Sequence, residues 1–93
     1  MPPLEKDKSE KLLQNIHGDW MIAENKKLRR EFRFRNFVSA MEFVNRVAEV
    51  AEQEGHHPDI HLFYNKLTLE LWTHAAHGLT ENDFILAAKI DEL

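Results

Sequence analysis

"GHHPDIHLFYNKLTLELWTH", residues 55–74, decides the architecture of this chain. Two strand patterns run through it, Ile60–Tyr64 and Lys66–His74, on either side of a short turn at Asn65. In the second, Leu67, Leu69 and Leu71 fall on one side of the pleat, while Thr68, Glu70, Trp72 and His74 fall on the other. Alternation of this kind on two neighbouring segments predicts an antiparallel hairpin with one face buried. Pro58 cannot easily continue a helix, and it pushes His57 toward an extended backbone. Whatever precedes the hairpin therefore ends near Gly55, a residue suited to the left-handed position just past a helix.

The segment before Gly55 is the clearest amphipathic helix in the chain. Phe37, Ala40, Met41, Val44, Val47, Ala48 and Ala51 recur at helical spacing behind Asn36, a good cap. Further upstream, Lys27–Arg35 reads as a strand, with Leu28, Phe32 and Phe34 on one parity and Lys27, Arg29, Arg33 and Arg35 on the other. Arg30 breaks the pattern. Trp20–Ala23 pairs with it as a shorter strand, with Glu24, Asn25 and Lys26 as the turn. A first helix is expected over Glu5–Ile16, with Leu12, Leu13 and Ile16 inward and Asp7 or Ser9 as its cap. Gly18 and Asp19 mark a turn after it, and Met1–Pro3 reads as a loose end. Downstream, "LTEND", residues 79–83, opens a last helix: Thr80 caps it, Asp83 returns the bond, and Leu79 staples onto Phe84. The order αββαββα with paired hairpins implies an α+β fold. A four-stranded antiparallel sheet would carry the helices on one face, in a single domain over residues 1–93.

Composition bounds the rest. A chain of 93 residues has a modest core, to which an oligomer interface could usefully add. The formal net charge of -4 argues against nucleic acid as a general partner. With no cysteine there is no disulfide framework and no thiolate chemistry. No apolar run approaches the roughly 20 residues that cross a bilayer, and the start does not read as a signal peptide, so no membrane partner and a cytoplasmic location are expected.

Four of the six histidines lie between residues 55 and 74. Imidazole titrates near neutrality, so several around one small molecule suit a reaction that gives one proton and takes another. His56 and His57 follow a helix end and His74 closes a strand, rim positions where sites form. Glu52, four residues before His56, could accept from an imidazole N–H and fix its tautomer. A histidine pair in a loop is also what an ordinary solvated surface looks like. A metal site is the other sharp reading, but there is no HExxH and no cysteine pair. His57 and His61 are separated by Pro58 in an extended stretch, so they share no helical face. No metal ligand is assigned.

The spacing of these residues resembles the pterin-4a-carbinolamine dehydratase family. The pattern runs Glu52, three residues, His56-His57-Pro58, five residues, Tyr64, nine residues, His74, eight residues, Asp83. The likeness extends to the "LL" of the first helix, Trp20, the Phe32 and Phe34 strand, "YNK" and "TH…GLTENDF". The resemblance implies an αββαββα fold, a homodimer or homotetramer, and loss of water from a 4a-hydroxytetrahydropterin to give quinonoid dihydropterin, as in tetrahydrobiopterin recycling. It needs no cofactor, because the reaction is an elimination. His56 and His74 would act as acid–base groups. His57, counted with them as catalytic, would mainly hold the pterin, and Glu52, Trp20 and Asp83 would join it in substrate binding.

Other uses stand beside these. A carboxylate at Asp83 also suits a helix N-terminus. Trp20 in a small domain is usually core, Tyr64 packing, and His61 non-catalytic. His17 and His77 match no function. The basic run Lys26–Arg35 reads as the wet face of a strand. It keeps open a second class, a protein-interaction module, since some similar proteins serve as dimerisation cofactors of a homeodomain transcription factor.

Overall fold

A computed structural model describes residues 2–93. Its elements are α1 (Lys6–Leu13), β1 (Met21–Ala23), β2 (Lys27–Arg33), α2 (Phe37–Glu54), β3 (Asp59–Phe63), β4 (Lys66–Leu71) and α3 (Glu81–Asp91), with one 3-10 turn at His74–Ala76 between β4 and α3. The four strands form one antiparallel sheet in the order β1-β2-β4-β3, and the α-helices cover one face. No helix among the described residues is long and apolar enough to cross a membrane.

The core follows from the register. Leu28 pairs with Leu71, Phe32 with Leu67, and Leu62 with Leu67 from the other side. Leu67, Leu69 and Leu71 are fully buried, against Val47 of α2 and Leu86, Ala87 and Ile90 of α3. Burying one leucine contributes roughly 1.5–3 kcal/mol, so this row on β4 anchors both helices to the sheet. Arg30 departs from the strand pattern because it serves the buried side. Its guanidinium lies 4.4 Å from the Phe32 ring centroid, and its Nη1 donates to Asp91 Oδ1 at the end of α3, 2.6 Å away.

Turns and caps form where the chain chemistry allows them. Glu24 and Asn25 both have positive φ, 56° and 58°, the mirror-image turn that matches strand twist. Asn36 accepts from the Ser39 N–H at 2.8 Å. Gly55 has φ 64°; its N–H donates to Glu52 O and that of His56 to Ala51 O, the paired bonds that close a helix end.

Three expectations need correcting. The last strand stops at Leu71 rather than His74. Beyond it Thr73 bridges to Gly78, and the carbonyls of Thr73 and His74 turn back onto Ala76 and His77, so no partner strand can use them. α1 ends at Leu13, and neither Asp7 nor Ser9 caps it; Glu5 holds the cap position, while Ser9 is buried. Pro3 is not loose. Leu4 N–H donates to Leu79 O at 2.7 Å, and Pro3 lies so close over Gly78 that a Cβ there would sit 2.9 Å from the proline's. Met1 lies outside the described residues.

On the sheet face away from the helices, Arg29 donates through Nε and Nη2 to Glu70 Oε2 at 2.9 and 2.6 Å, and His61 Nε2 lies 3.2 Å from Oε1. The hydrogen bonds from Arg29 hold the Glu70 carboxyl below the usual carboxylate range, against the opposing effect of burial.

Candidate active site

The end of α2 and the end of β4 open into one cleft of about 400 Å³, lined by Gly55, His56, His57, Pro58 and Asp59 from the first segment and Trp72, Thr73, His74 and Ala75 from the second. A groove of similar size between α1 and α3, about 360 Å³, is lined by Leu12, Ile16, Phe84 and Ile85 and holds no imidazole. The three histidines singled out from sequence therefore share one cavity, although 18 positions separate His56 from His74 in the chain.

His56 is placed by backbone geometry. Its amide donates to Ala51 O, and the left-handed glycine before it turns the chain off the helix axis. Its ring reaches α3, where Nε2 lies 2.5 Å from Asp83 Oδ1. Asp83 is wholly buried, and its Oδ2 also accepts from the Thr80 N–H and the Thr73 hydroxyl, each at 2.9 Å. A carboxylate surrounded by donors can only accept, so His56 carries its proton on Nε2. In the neutral ring, Nδ1 is then the nitrogen free to take a proton.

Glu52 does not meet His56. It lies 2.5 Å from His57 Nε2, in a pair whose side chains are 62% and 76% exposed. The reason is the same glycine: the chain leaves the helix at Gly55, and His56 goes inward while His57 stays on the surface above the last turn. An exposed pair of this kind adds little energy.

His74 starts the 3-10 turn, and its ring centroid lies 4.0 Å from that of Trp72. The indole is fixed in turn, since Trp72 Nε1 donates to Asp59 Oδ2 at 3.1 Å. Trp72, Thr73 and Asp59 were not among the residues expected at the site. The available signal was parity: Trp72 stands two residues before His74, on the same side of the pleat.

Two expected binding residues lie elsewhere. Trp20 is 3% exposed, packs edge-on against Phe32, and donates its ring N–H to Asp91 Oδ1 at 2.8 Å. It stands outside the cleft lining. Asp83 has no exposed surface and meets the cleft only through His56 and Thr73. Tyr64 lies at the β3–β4 turn, 66% exposed, and His61 on the open sheet face. Among the described residues no cluster of three or more His, Asp or Glu side chains could hold a metal ion.

With this geometry in view, the chain can be set beside known proteins. The family model for pterin 4 alpha carbinolamine dehydratase matches residues 2–93. A putative pterin-4-alpha-carbinolamine dehydratase of Rickettsia canadensis is 47% identical over 91 residues, covering 98% of this chain and 84% of the relative. The mitochondrial pterin-4-alpha-carbinolamine dehydratase 2 of Arabidopsis thaliana is 54% identical over 86 residues, 88% of this chain and 46% of that one. Among solved structures, the transcriptional coactivator/pterin dehydratase of Brucella melitensis superposes with a TM-score of 0.89 at 28% identity, covering 97% of this chain and 96% of its own.

Proposed function

We propose, since the chain belongs to the pterin 4 alpha carbinolamine dehydratase family, that it is a hydro-lyase removing water from a 4a-hydroxytetrahydropterin, with histidine side chains as acid and base. The observation that carries the reading is the convergence of His56, His57 and His74 on one cleft. The reaction breaks the C4a–O bond, forms a double bond between C4a and N5, and releases the N5 proton, leaving quinonoid dihydropterin and water. Hydroxide is a poor leaving group, so a protonated imidazole delivers a proton to it, while a neutral imidazole takes the proton from N5. Groups so placed typically contribute about 10²–10⁴ in rate.

His56 and His74 line the same cleft, one from just past α2 and one from the turn after β4, and on this reading they reach the substrate from opposite sides. Each serves one stereoisomer of the 4a-hydroxyl. His57 holds the ring, and Glu52 steadies His57. Asp83 acts behind His56. The reaction is an elimination and calls for no resident cofactor. A cytoplasmic location, a homodimer or homotetramer, and a place in tetrahydrobiopterin recycling belong to the same proposal.

The test is steady-state dehydration of freshly generated 4a-hydroxytetrahydropterin. His56→Ala and His74→Ala alone should each keep part of the activity, and the double variant should fall far below their product. His57→Ala should mainly raise KM. A folded double variant with wild-type kcat/KM would remove the histidines from the mechanism. The second reading, an interaction module, has one specific support: the Brucella relative is named a transcriptional coactivator as well as a dehydratase.

A further inference from the structure

We infer that Thr73 is a positioning residue for His56, acting through Asp83, and that it ties the supports of the two acid–base histidines together. The inference rests on the dehydratase reading and adds a residue to it. The Thr73 hydroxyl has one proton and two close partners, Asp83 Oδ2 at 2.9 Å and Thr80 Oγ1 at 2.7 Å. The carboxylate only accepts, so Thr73 donates to Asp83 and accepts from the Thr80 hydroxyl. Asp83 is held from behind by that hydroxyl and the Thr80 N–H, which leaves Oδ1 aimed at His56 Nε2. A carboxylate held by three donors has no freedom to rotate, and the ring it holds keeps one tautomer and one orientation.

The backbone of the same residue closes the loop that carries His74. Thr73 N–H donates to Gly78 O at 2.9 Å, and Thr73 O accepts from the N–H groups of Ala76 and Gly78. The side chain of Thr73 therefore sets His56 while its main chain sets the turn on which His74 stands. No other residue makes both connections among the described residues. The side chain can be tested apart from the main chain, because the hydroxyl can be removed without changing the backbone.

The experiment is the dehydratase assay on Thr73→Val and Thr73→Ser, each in the wild-type, His56→Ala and His74→Ala backgrounds, with the His56 tautomer read by ¹⁵N NMR of the ring. Thermal unfolding by circular dichroism accompanies every variant, and Thr73→Ala replaces the valine form if that does not fold. Thr73→Val should lower kcat about tenfold, the scale of one lost hydrogen bond to a charged group, with KM within about twofold. Thr73→Ser should restore it. The loss should persist in the His74→Ala background and disappear in the His56→Ala background, because the hydroxyl works only through His56. In Thr73→Val the ring signals should move off the pure Nε2–H tautomer. An equal loss in the serine and valine forms, a loss that persists without His56, or unchanged ring signals would each overturn the inference. An inactive wild-type protein would instead strike the dehydratase reading, and the ring signals would still report on Thr73.

Discussion

Asp83→Asn should leave the fold standing and reverse the tautomer of His56. In the native site Oδ2 accepts from Thr80 N–H and Thr73 Oγ1, and Oδ1 faces His56 Nε2. An amide offers one accepting oxygen and an NH₂ group that only donates. Placing its oxygen at the Oδ2 position keeps both bonds to the helix N-terminus and the threonine. Placing it at Oδ1 would set an NH₂ against a backbone donor, and a buried unpaired donor costs about 1–3 kcal/mol. The first orientation is therefore favoured, and its NH₂ then faces Nε2. That nitrogen must become the acceptor, which moves the ring proton to Nδ1, the nitrogen proposed to take protons. Exchanging charge-assisted bonds for neutral ones costs about 1–2 kcal/mol, or a melting temperature lower by about 5–15 °C in a chain of this size. The variant should fold, and its kcat/KM should fall to that of His56→Ala. Asp83→Ala removes all three acceptor contacts and should cost about 3–6 kcal/mol, a large part of the roughly 5–14 kcal/mol that a domain of this length commands. The assays are thermal unfolding, steady-state dehydration, and ¹⁵N NMR of the ring. A folded Asp83→Asn protein with wild-type kcat/KM, or one whose His56 keeps its proton on Nε2, would refute the reasoning.

Glu70 makes stability pH-dependent: its carboxyl is held low in the fold, so its contribution is full above the unfolded value near pH 4.5 and is lost as pH falls through the folded value. Glu70→Gln should lower the melting temperature at pH 7 by about 4–8 °C, equivalent to about 1 kcal/mol after allowing for the partly exposed Arg29, and the gap should close in acid; a pH-independent gap would contradict this. Gly55→Ala forces an alanine to φ 64° and should cost about 1 kcal/mol, with kcat lowered more than stability suggests because the cap also sets His56; kinetics and unfolding on one preparation check both. Glu52→Gln should leave kcat within about twofold, since its pair with His57 is exposed; a tenfold loss would give Glu52 a direct role. Sedimentation at micromolar concentration should show a species larger than the 11.0 kDa chain, because Met21, Val38, Phe63 and Tyr64 are each more than half exposed; a lone monomer would oppose the oligomer.

The family, the element order and the ends of α2 and start of α3 were readable without coordinates, because they depend on local chemistry. The leucines of β4 alternate, Asn36 and Gly55 bracket α2, and Thr80 with Asp83 opens α3; each signal spans only a few residues. Even the spacing from Glu52 to Asp83 is a property of the chain alone. What remained closed depended on partners far away in sequence. Arg30 looked like an error in the strand until Asp91, 61 residues on, supplied its counter-charge. Trp20 could be placed by pattern on a first strand, but only the packed sheet shows its ring N–H taken up by the same aspartate. The pairing of carboxylates with histidines went furthest astray. A spacing of four suggested Glu52 for His56, whereas the left-handed turn at Gly55 gives Glu52 to His57 and brings His56 to Asp83, 27 residues later. Backbone direction at one residue decides which way a side chain leaves a helix, and the burial of the partner decides whether the contact is firm. Periodicity carries neither, so the identity of the histidines belonged to the sequence and their carboxylate partners to the tertiary fold.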